Sequence, residues 1–406
     1  MTAADPAADA AAHERPTVTL RKGAQRRALA GHPWVYSNEI EMRRETKALP
    51  AGRVVRLMAE DGRPIGAAMF NPHSLIAARI LDRDPDAAVD AGFLARRLER
   101  ALSLRERLHD KPFYRLVHAE ADGLPGAIID RFGEVLVLQT NTAGMERLLD
   151  VLVEAIGTVL APETLLLRND APARKLEGLE PYVRLLSGTM EGPIELEENG
   201  VRFLADPREG QKTGWFFDQR ENRARVAALA RGTRLLDIYS YCGGFALQAA
   251  AAGAAEVLAI DRSEAALALA EKAAEMNGVA PRCRFRRADA FTELEALAKA
   301  GQDFDIVVAD PPAFVKSKKD LGQGARAYRK LARLSAACVR PGGFLFIASC
   351  SHHMEAPLFA EEVRRGIHDL ARNARILAAT GAAPDHPVHP ALPETAYLKG
   401  LLLQID

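Results

Sequence analysis

Cysteine is scarce in this chain of 406 residues, and its four copies are scattered: Cys242, Cys283, Cys338 and Cys350 form no C-x-x-C pair and join no histidine at metal-ligand spacing. That argues against a disulfide framework and against a structural zinc site, so no metal is expected. Long apolar runs are also missing; none approaches the about 18 residues that a membrane helix needs, and no membrane partner is expected. Charge of one sign is lacking too, because 54 Lys and Arg balance 54 Asp and Glu. A chain coated in positive charge is thereby excluded, while a basic groove on a neutral background is not. The first fifteen residues, rich in Ala and Asp, have neither the basic start nor the apolar stretch of a signal peptide, and they read as a disordered tail of a cytoplasmic protein.

What is present is the composition of an ordinary folded protein, 48% hydrophobic and 27% charged, long enough for two or three domains. Residues 16–86 carry short β-type runs, Val54–Leu57, Ile65–Phe70 and Ile76–Ile80, with turn signals at Asp61-Gly62 and Asn71-Pro72, as in a small β-barrel. Residues 87–194 read as a small α+β domain. A helix is expected over 90–108, with Phe93, Leu94, Leu98, Ala101 and Leu102 on one face. Strands follow at 127–130, 135–138 and 164–168, with a helix near 145–156. A β-rich stretch follows at 194–205. Residues 195–406 then alternate helices with strongly apolar strands at 234–238, 256–261, 283–286, 305–310 and 343–348. Such strands are buried on both faces, which predicts a parallel sheet flanked by helices.

Several of these strands end in an acid or a glycine turn, and ligands of such sheets bind outside the carboxyl ends of the strands. The first turn reads Asp237-Ile238-Tyr239-Ser240-Tyr241-Cys242-Gly243-Gly244-Phe245. Gly243 and Gly244 permit close backbone approach, but the pattern is not G-x-G-x-x-G, so a dinucleotide pyrophosphate fits poorly. Asp261 ends the second strand, where it either accepts from both ribose hydroxyls of a nucleoside or caps the helix that begins at Ser263. Asp289, after the third strand, is placed to accept from an adenine amino group. Together these acids and the turn point to S-adenosylmethionine.

Asp310-Pro311-Pro312-Ala313-Phe314 follows the fourth strand, and its two prolines remove two N–H donors. Either Asp310 meets a base edge with Phe314 stacked on it, or the segment is a rigid turn with a core Phe. The fifth strand runs into Ser349-Cys350-Ser351-His352-His353. Cys350 is either an apolar filler or a nucleophile. The second role has a specific chemical use, since carbon 5 of cytosine attacks a sulfonium only after a thiolate has added to carbon 6. Seven basic residues, Lys316, Lys318, Lys319, Arg326, Arg329, Lys330 and Arg333, follow within twenty residues against one acid, Asp320. They form a solvated helix face or a row of phosphate contacts. A second basic and aromatic cluster, Arg21, Lys22, Arg26 and Arg27 with Trp34 and Tyr36, suits single-stranded RNA, unless Trp34 is simply core.

These motifs, with Gly31-His32-Pro33-Trp34-Val35-Tyr36-Ser37, Asp122-Gly123-Leu124-Pro125-Gly126, Gly210–Arg220, Asp385-His386-Pro387 and Tyr397-Leu398-Lys399-Gly400, occur in an order that resembles one family. The chain is similar to the bacterial class I methyltransferases that form 5-methylcytosine in 23S ribosomal RNA. The resemblance implies an α/β fold, with a PUA domain and a small α+β domain before a Rossmann-like methyltransferase domain. It implies 23S ribosomal RNA as substrate, Cys350 as nucleophile, and Asp310 as the group that holds or protonates the cytosine edge. It also implies cofactor contacts from Asp237, Tyr239, Ser240, Gly243, Gly244, Asp261, Asp289 and Asp310, with Lys212–Arg220, Arg220 included, closing over the cofactor. RNA contacts fall on Lys316, Lys318, Arg326, Arg329 and Trp34. One departure is that Pro311 and Pro312 stand where many RNA 5-methylcytosine enzymes carry a second cysteine, leaving the carbon-5 proton without an assigned base. Two alternatives remain beside this reading: an RNA nitrogen methyltransferase on the same fold, and a non-catalytic RNA-binding or assembly factor.

Overall fold

The computed structural model describes residues 15–406; the expected tail, residues 1–15, lies outside them apart from Arg15. Arg15 is buried and donates to the carbonyls of Pro85 (2.7 Å) and Ala87 (2.9 Å). The chain divides into two compact units. The first runs to Gly192 and takes in Pro207–Thr213 and Asp385–Thr395; the second comprises Pro193–Asp206, Gly214–Pro384 and Ala396–Asp406. A single cut near residue 195 is therefore too simple, and the hydrogen bonds say why. Arg168 donates to the carbonyls of Pro207 and Gly210, while Asp385 accepts from the Arg115 amide (2.9 Å) and its carbonyl from Arg105 (2.9 Å).

In the first unit, β1 (Thr17–Thr19), β2 (Trp34–Val35), β3 (Arg53–Met58), β4 (Pro64–Phe70) and β5 (Ala78–Asp82) form a sheet of order β1-β3-β4-β5-β2, with short helices α1 (Gln25–Leu29) and α2 (Arg44–Lys47). Val55, Leu57, Ile65, Ala68 and Phe70 close its core. Helix α3 (Ala91–Leu108) starts where Asp90 accepts from the Phe93 amide (2.7 Å). The second sheet is β10-β9-β8-β7-β6, from β6 (Phe113–His118), β7 (Ala127–Phe132), β8 (Val135–Thr140), β9 (Thr164–Asn169) and β10 (Tyr182–Ser187). The single helix expected near 145–156 is two, α4 (Ala143–Arg147) and α5 (Leu149–Val159), with Thr142 capping the first through the Met145 amide (3.2 Å).

The second unit opens with a hairpin, β11 (Ile194–Glu198) and β12 (Val201–Ala205), turning on Asn199-Gly200 with both φ values positive (52° and 78°). Helix α6 (Arg220–Ala227) leads into β13 (Arg234–Ile238), α7 (Gly244–Ala251), β14 (Glu256–Asp261), α8 (Glu264–Met276), β15 (Cys283–Arg287), α9 (Ala290–Lys299), β16 (Phe304–Ala309), α10 (Leu321–Ala337), β17 (Val339–Ser349), α11 (Ala356–His368), β18 (Ala374–Thr380) and β19 (Lys399–Ile405). Their sheet has order β15-β14-β13-β16-β17-β19-β18. The first five are parallel, as expected; β19 runs antiparallel between β17 and β18, which the sequence reading did not anticipate. Strand order reverses at β13, whose neighbours are β14 and β16, so a crevice opens at the carboxyl ends of these strands. Among the described residues no helix is long and apolar enough to cross a membrane, and no cluster of potential metal ligands occurs.

Candidate active site

The reversal point places Asp237, penultimate in β13, at the crevice floor. Its Oδ2 accepts from the Ala246 amide at the start of α7 (3.0 Å), while Oδ1 is buried with no partner. Burial, reinforced by the charges of Asp310 and Asp261, pushes its carboxyl up to about 8. An acid so raised binds a proton in the folded chain that the unfolded chain releases near pH 4, so its stability contribution is full below that pH and is lost as pH rises toward 8. Asp237→Asn is expected to remove this slope. In denaturant titrations of cofactor-free protein, the variant should gain on the parent between pH 5 and 8; a constant difference would contradict the assignment.

After β13 the backbone takes left-handed φ at Tyr239 (66°), Tyr241 (50°) and Gly243 (77°). For two tyrosines that conformation costs energy, which persists only where surroundings impose it. Asp261 imposes it: its Oδ2 accepts from the Tyr241 amide (2.9 Å) and its Oδ1 from the Ser263 amide (2.8 Å). Asp261 thus ties two turns together, and the cap of α8 is Ser263, which accepts from the Ala266 amide (3.2 Å). Each oxygen keeps a lone pair for a ligand. Ser240 Oγ, like Asp237 Oδ1, is buried without a partner. Asp289, at the end of β15, is exposed and caps α9 through the Thr292 amide (3.1 Å), a bond that holds its carboxyl below the usual range. Gly244 has an internal reason to be glycine, since a Cβ there would lie 2.5 Å from Arg223 Nε.

That arginine belongs to a buried hub that the sequence reading missed. Glu198 accepts from Arg223 Nη1 (2.9 and 3.1 Å), Trp215 Nε1 (3.1 Å) and Gln248 Nε2 (2.8 Å), with Arg220 Nε at 3.8 Å. The Arg223 guanidinium lies over the Trp215 ring, 4.5 Å from its centroid. Arg220 is thus partnered within this hub, and Trp215, Phe217, Asp218 and Gln219 of the segment expected to close over the cofactor are buried. The only signal in the sequence was the Asn199-Gly200 turn that brings Glu198 inward.

At the neighbouring strand ends, Asp310 follows β16 directly and Cys350 follows β17. The Cys350 Sγ lies 3.9 Å from the Pro311 carbonyl oxygen, so thiol and Asp310-Pro311-Pro312 loop meet at one sheet edge. Cys350 is partly exposed, whereas burial pushes the thiols of Cys242 and Cys338 up to about 12 and that of Cys283 up to about 11. Tyr328 of α10 braces the loop. Its hydroxyl pairs with Ser349 Oγ (2.8 Å) and Ser351 Oγ (2.9 Å), one on each side of Cys350, and Ser351 Oγ accepts from the Val315 amide (3.1 Å). Phe314 packs on the Tyr328 ring at 4.8 Å, which favours its core role over base stacking.

The basic run divides. Arg329 makes a bidentate pair with Asp369 (2.8 and 2.6 Å), and Lys330 pairs with Glu295 (2.8 Å). Asp320 turns back onto Ser317 (3.0 Å to its amide), ahead of α10. Lys316, Lys318, Lys319 and Arg326 are exposed. In the first unit Trp34 is half-buried and its indole N–H donates to Glu120 (2.8 Å).

The crevice therefore offers a buried carboxylate oxygen and a hydroxyl awaiting partners, a strained glycine turn, and an accepting acid at the next strand. These fit an amino-bearing nucleoside such as S-adenosylmethionine. Residues 180–404 match the S-adenosylmethionine-dependent methyltransferase family, and residues 18–83 a PUA-like domain. Ribosomal RNA large subunit methyltransferase I of Shewanella denitrificans is 38% identical over 393 residues, covering 96% of this chain and 99% of its own. The protein of that name from Aeromonas salmonicida is 38% identical, covering 95% and 98%. Among solved structures, a SAM-dependent methyltransferase from Streptococcus mutans superposes with a TM-score of 0.81 at 19% identity, covering 96% of this chain and 100% of that one. A methyltransferase solved in complex with SAH also superposes at 0.81, with 18% identity and coverage of 96% and 99%. These two show the fold.

Proposed function

This chain belongs to the S-adenosylmethionine-dependent methyltransferase family, and from that premise we propose that it methylates carbon 5 of a cytosine in large-subunit ribosomal RNA. The substrate class rests on the names of the relatives and on the PUA-like domain; the position on the base rests on one thiol. The observation that carries it is Cys350 Sγ beside the Pro311 carbonyl, at the same sheet edge as Asp237 and Asp261.

S-adenosylmethionine supplies an electrophilic methyl group on a sulfonium. Asp237, Ser240, the Tyr239–Gly244 turn and Asp261 are the residues that would hold it, with Asp289 at the adenine end. The Cys350 thiolate forms a bond to carbon 6, which pushes the 5,6 double-bond electrons onto carbon 5. Carbon 5 would take the methyl group as its bond to the sulfonium sulfur breaks with the pair left on that sulfur, and loss of the carbon-5 proton to solvent would then restore the double bond and expel the thiolate. Asp310 holds the amino edge of the base. Lys316, Lys318 and Arg326 are free to meet phosphate, whereas Arg329 would first have to leave Asp369. Trp34 has its polar edge committed and would offer only its ring face. The division 16–86, 87–194 and 195–406 is kept as a proposal in outline, with Pro207–Thr213 and Asp385–Thr395 moved to the first unit.

Incubating the protein with unmodified large-subunit RNA and labelled cofactor, then digesting to nucleosides, tests this reading. Label in 5-methylcytidine is expected. Label in a nitrogen-methylated guanosine or adenosine would transfer the site to a different chemistry.

A further inference from the structure

A thiol attacks as its anion, and at neutral pH an ordinary cysteine with a pKa of about 8.5 is mostly protonated. The residue that answers this lies on the antiparallel strand that the sequence reading did not anticipate. Lys399 opens β19 and pairs in register with Ser349, the last residue of β17. Its half-buried side chain donates from Nζ to the Ser351 carbonyl at 2.7 Å, so strand pairing and hydrogen bond bracket Cys350 from both sides. Among the described residues no carboxylate lies within ion-pair distance of this ammonium.

We propose that Lys399 is a positioning residue for the nucleophile, fixing the Cys350 loop through the Ser351 carbonyl and stabilising the thiolate with its charge. This rests on the reading of Cys350 given above. Burial holds the Lys399 ammonium below its ordinary value, and the Cys350 charge opposes that shift. Ionisable groups on the elements that carry or adjoin the thiol loop include Asp310 beyond β16, the buried Tyr328 phenol of α10, the exposed His352, His353 and Glu355 of its own loop, and Tyr397 ahead of β19, whose ring faces His352 at 5.4 Å. Asp310 opposes thiolate formation. Lys399 is the cation that β19 adds to the thiol loop, and it offsets that opposition. The thiol gives its proton to solvent, and the sulfur keeps the electron pair that later bonds to carbon 6.

Iodoacetamide reads the thiolate directly, because the sulfur anion forms a carbon–sulfur bond and iodide leaves. Alkylation of the full-length protein would be followed against pH by peptide mass spectrometry at Cys350; the buried Cys242 and Cys338, and the half-buried Cys283 whose thiol burial also pushes up, serve as slow internal references. The parent midpoint is expected below about 8.5, with Lys399→Met raising it by about one pH unit or more and Lys399→Arg restoring it. A parent midpoint at or above that value, or a Met variant that titrates like the parent, would overturn the proposal. If Lys399→Met fails to fold, the parent midpoint alone decides. None of these readings uses methyl transfer, so a Cys350 that proved dispensable for turnover would defeat its role as nucleophile, while the alkylation profile would still decide separately whether Lys399 stabilises the thiolate.

Discussion

Cys350→Ser is expected to lower turnover by about 10³-fold or more while leaving cofactor affinity unchanged. A serine hydroxyl at this position keeps the size of the side chain and loses the nucleophile, because an alkoxide is far harder to form than a thiolate. The brace of Tyr328 on Ser349 and Ser351 does not involve the sulfur, so the loop should hold its place. The cofactor crevice lies around β13 and β14, and the thiol belongs to the loop after β17. Calorimetric titration with S-adenosylmethionine beside steady-state methylation separates the two effects. A fall in affinity equal to the fall in turnover would mean that Cys350 acts as packing.

Glu198→Ala should lower the unfolding free energy of the second unit by about 3–5 kcal/mol, since it leaves a buried guanidinium without its counter-charge. Glu198 is itself 1% exposed and Arg223 5% exposed, so water reaches neither readily. The damage should also reach the crevice: Arg223 packs against Gly244, and without its anchor the start of α7 loosens under the glycine turn. Denaturant melts and cofactor titrations on one sample measure both. A loss below about 1 kcal/mol would show that Arg220 and Arg223 find other partners.

The parallel sheet was legible because its strands are short apolar runs ending in Asp237, Asp261 and Asp310, and the motif residues themselves mark the carboxyl edge. Two strands escaped for opposite reasons. Ala374–Thr380 is an edge strand with both faces largely exposed, so it shows no alternation; Gly400-Leu401-Leu402-Leu403 is apolar without period and reads equally as helix. The exchange of Pro207–Thr213 and Asp385–Thr395 between units depends on single buried pairs, such as Asp385 with the Arg115 amide, which no local pattern encodes. In the site, the acids stood out but their partners did not. Asp261 reads from its spacing as a ribose acceptor or a helix cap, and Ser263 fills the capping place, while no local pattern marks Glu198 as buried. Gly244 reads as room for a ligand, and the structure adds a second demand on the same glycine, the close approach of Arg223.

RNA carrying 5-fluorocytidine blocks the final step, since carbon 5 then has no proton to lose after methylation and the thiolate cannot be expelled. The account predicts a denaturation-stable complex of protein and methylated RNA whose attachment maps to Cys350, and which Cys350→Ala does not form. Absence of any such complex from an otherwise active protein, or attachment through a different residue, would contradict it.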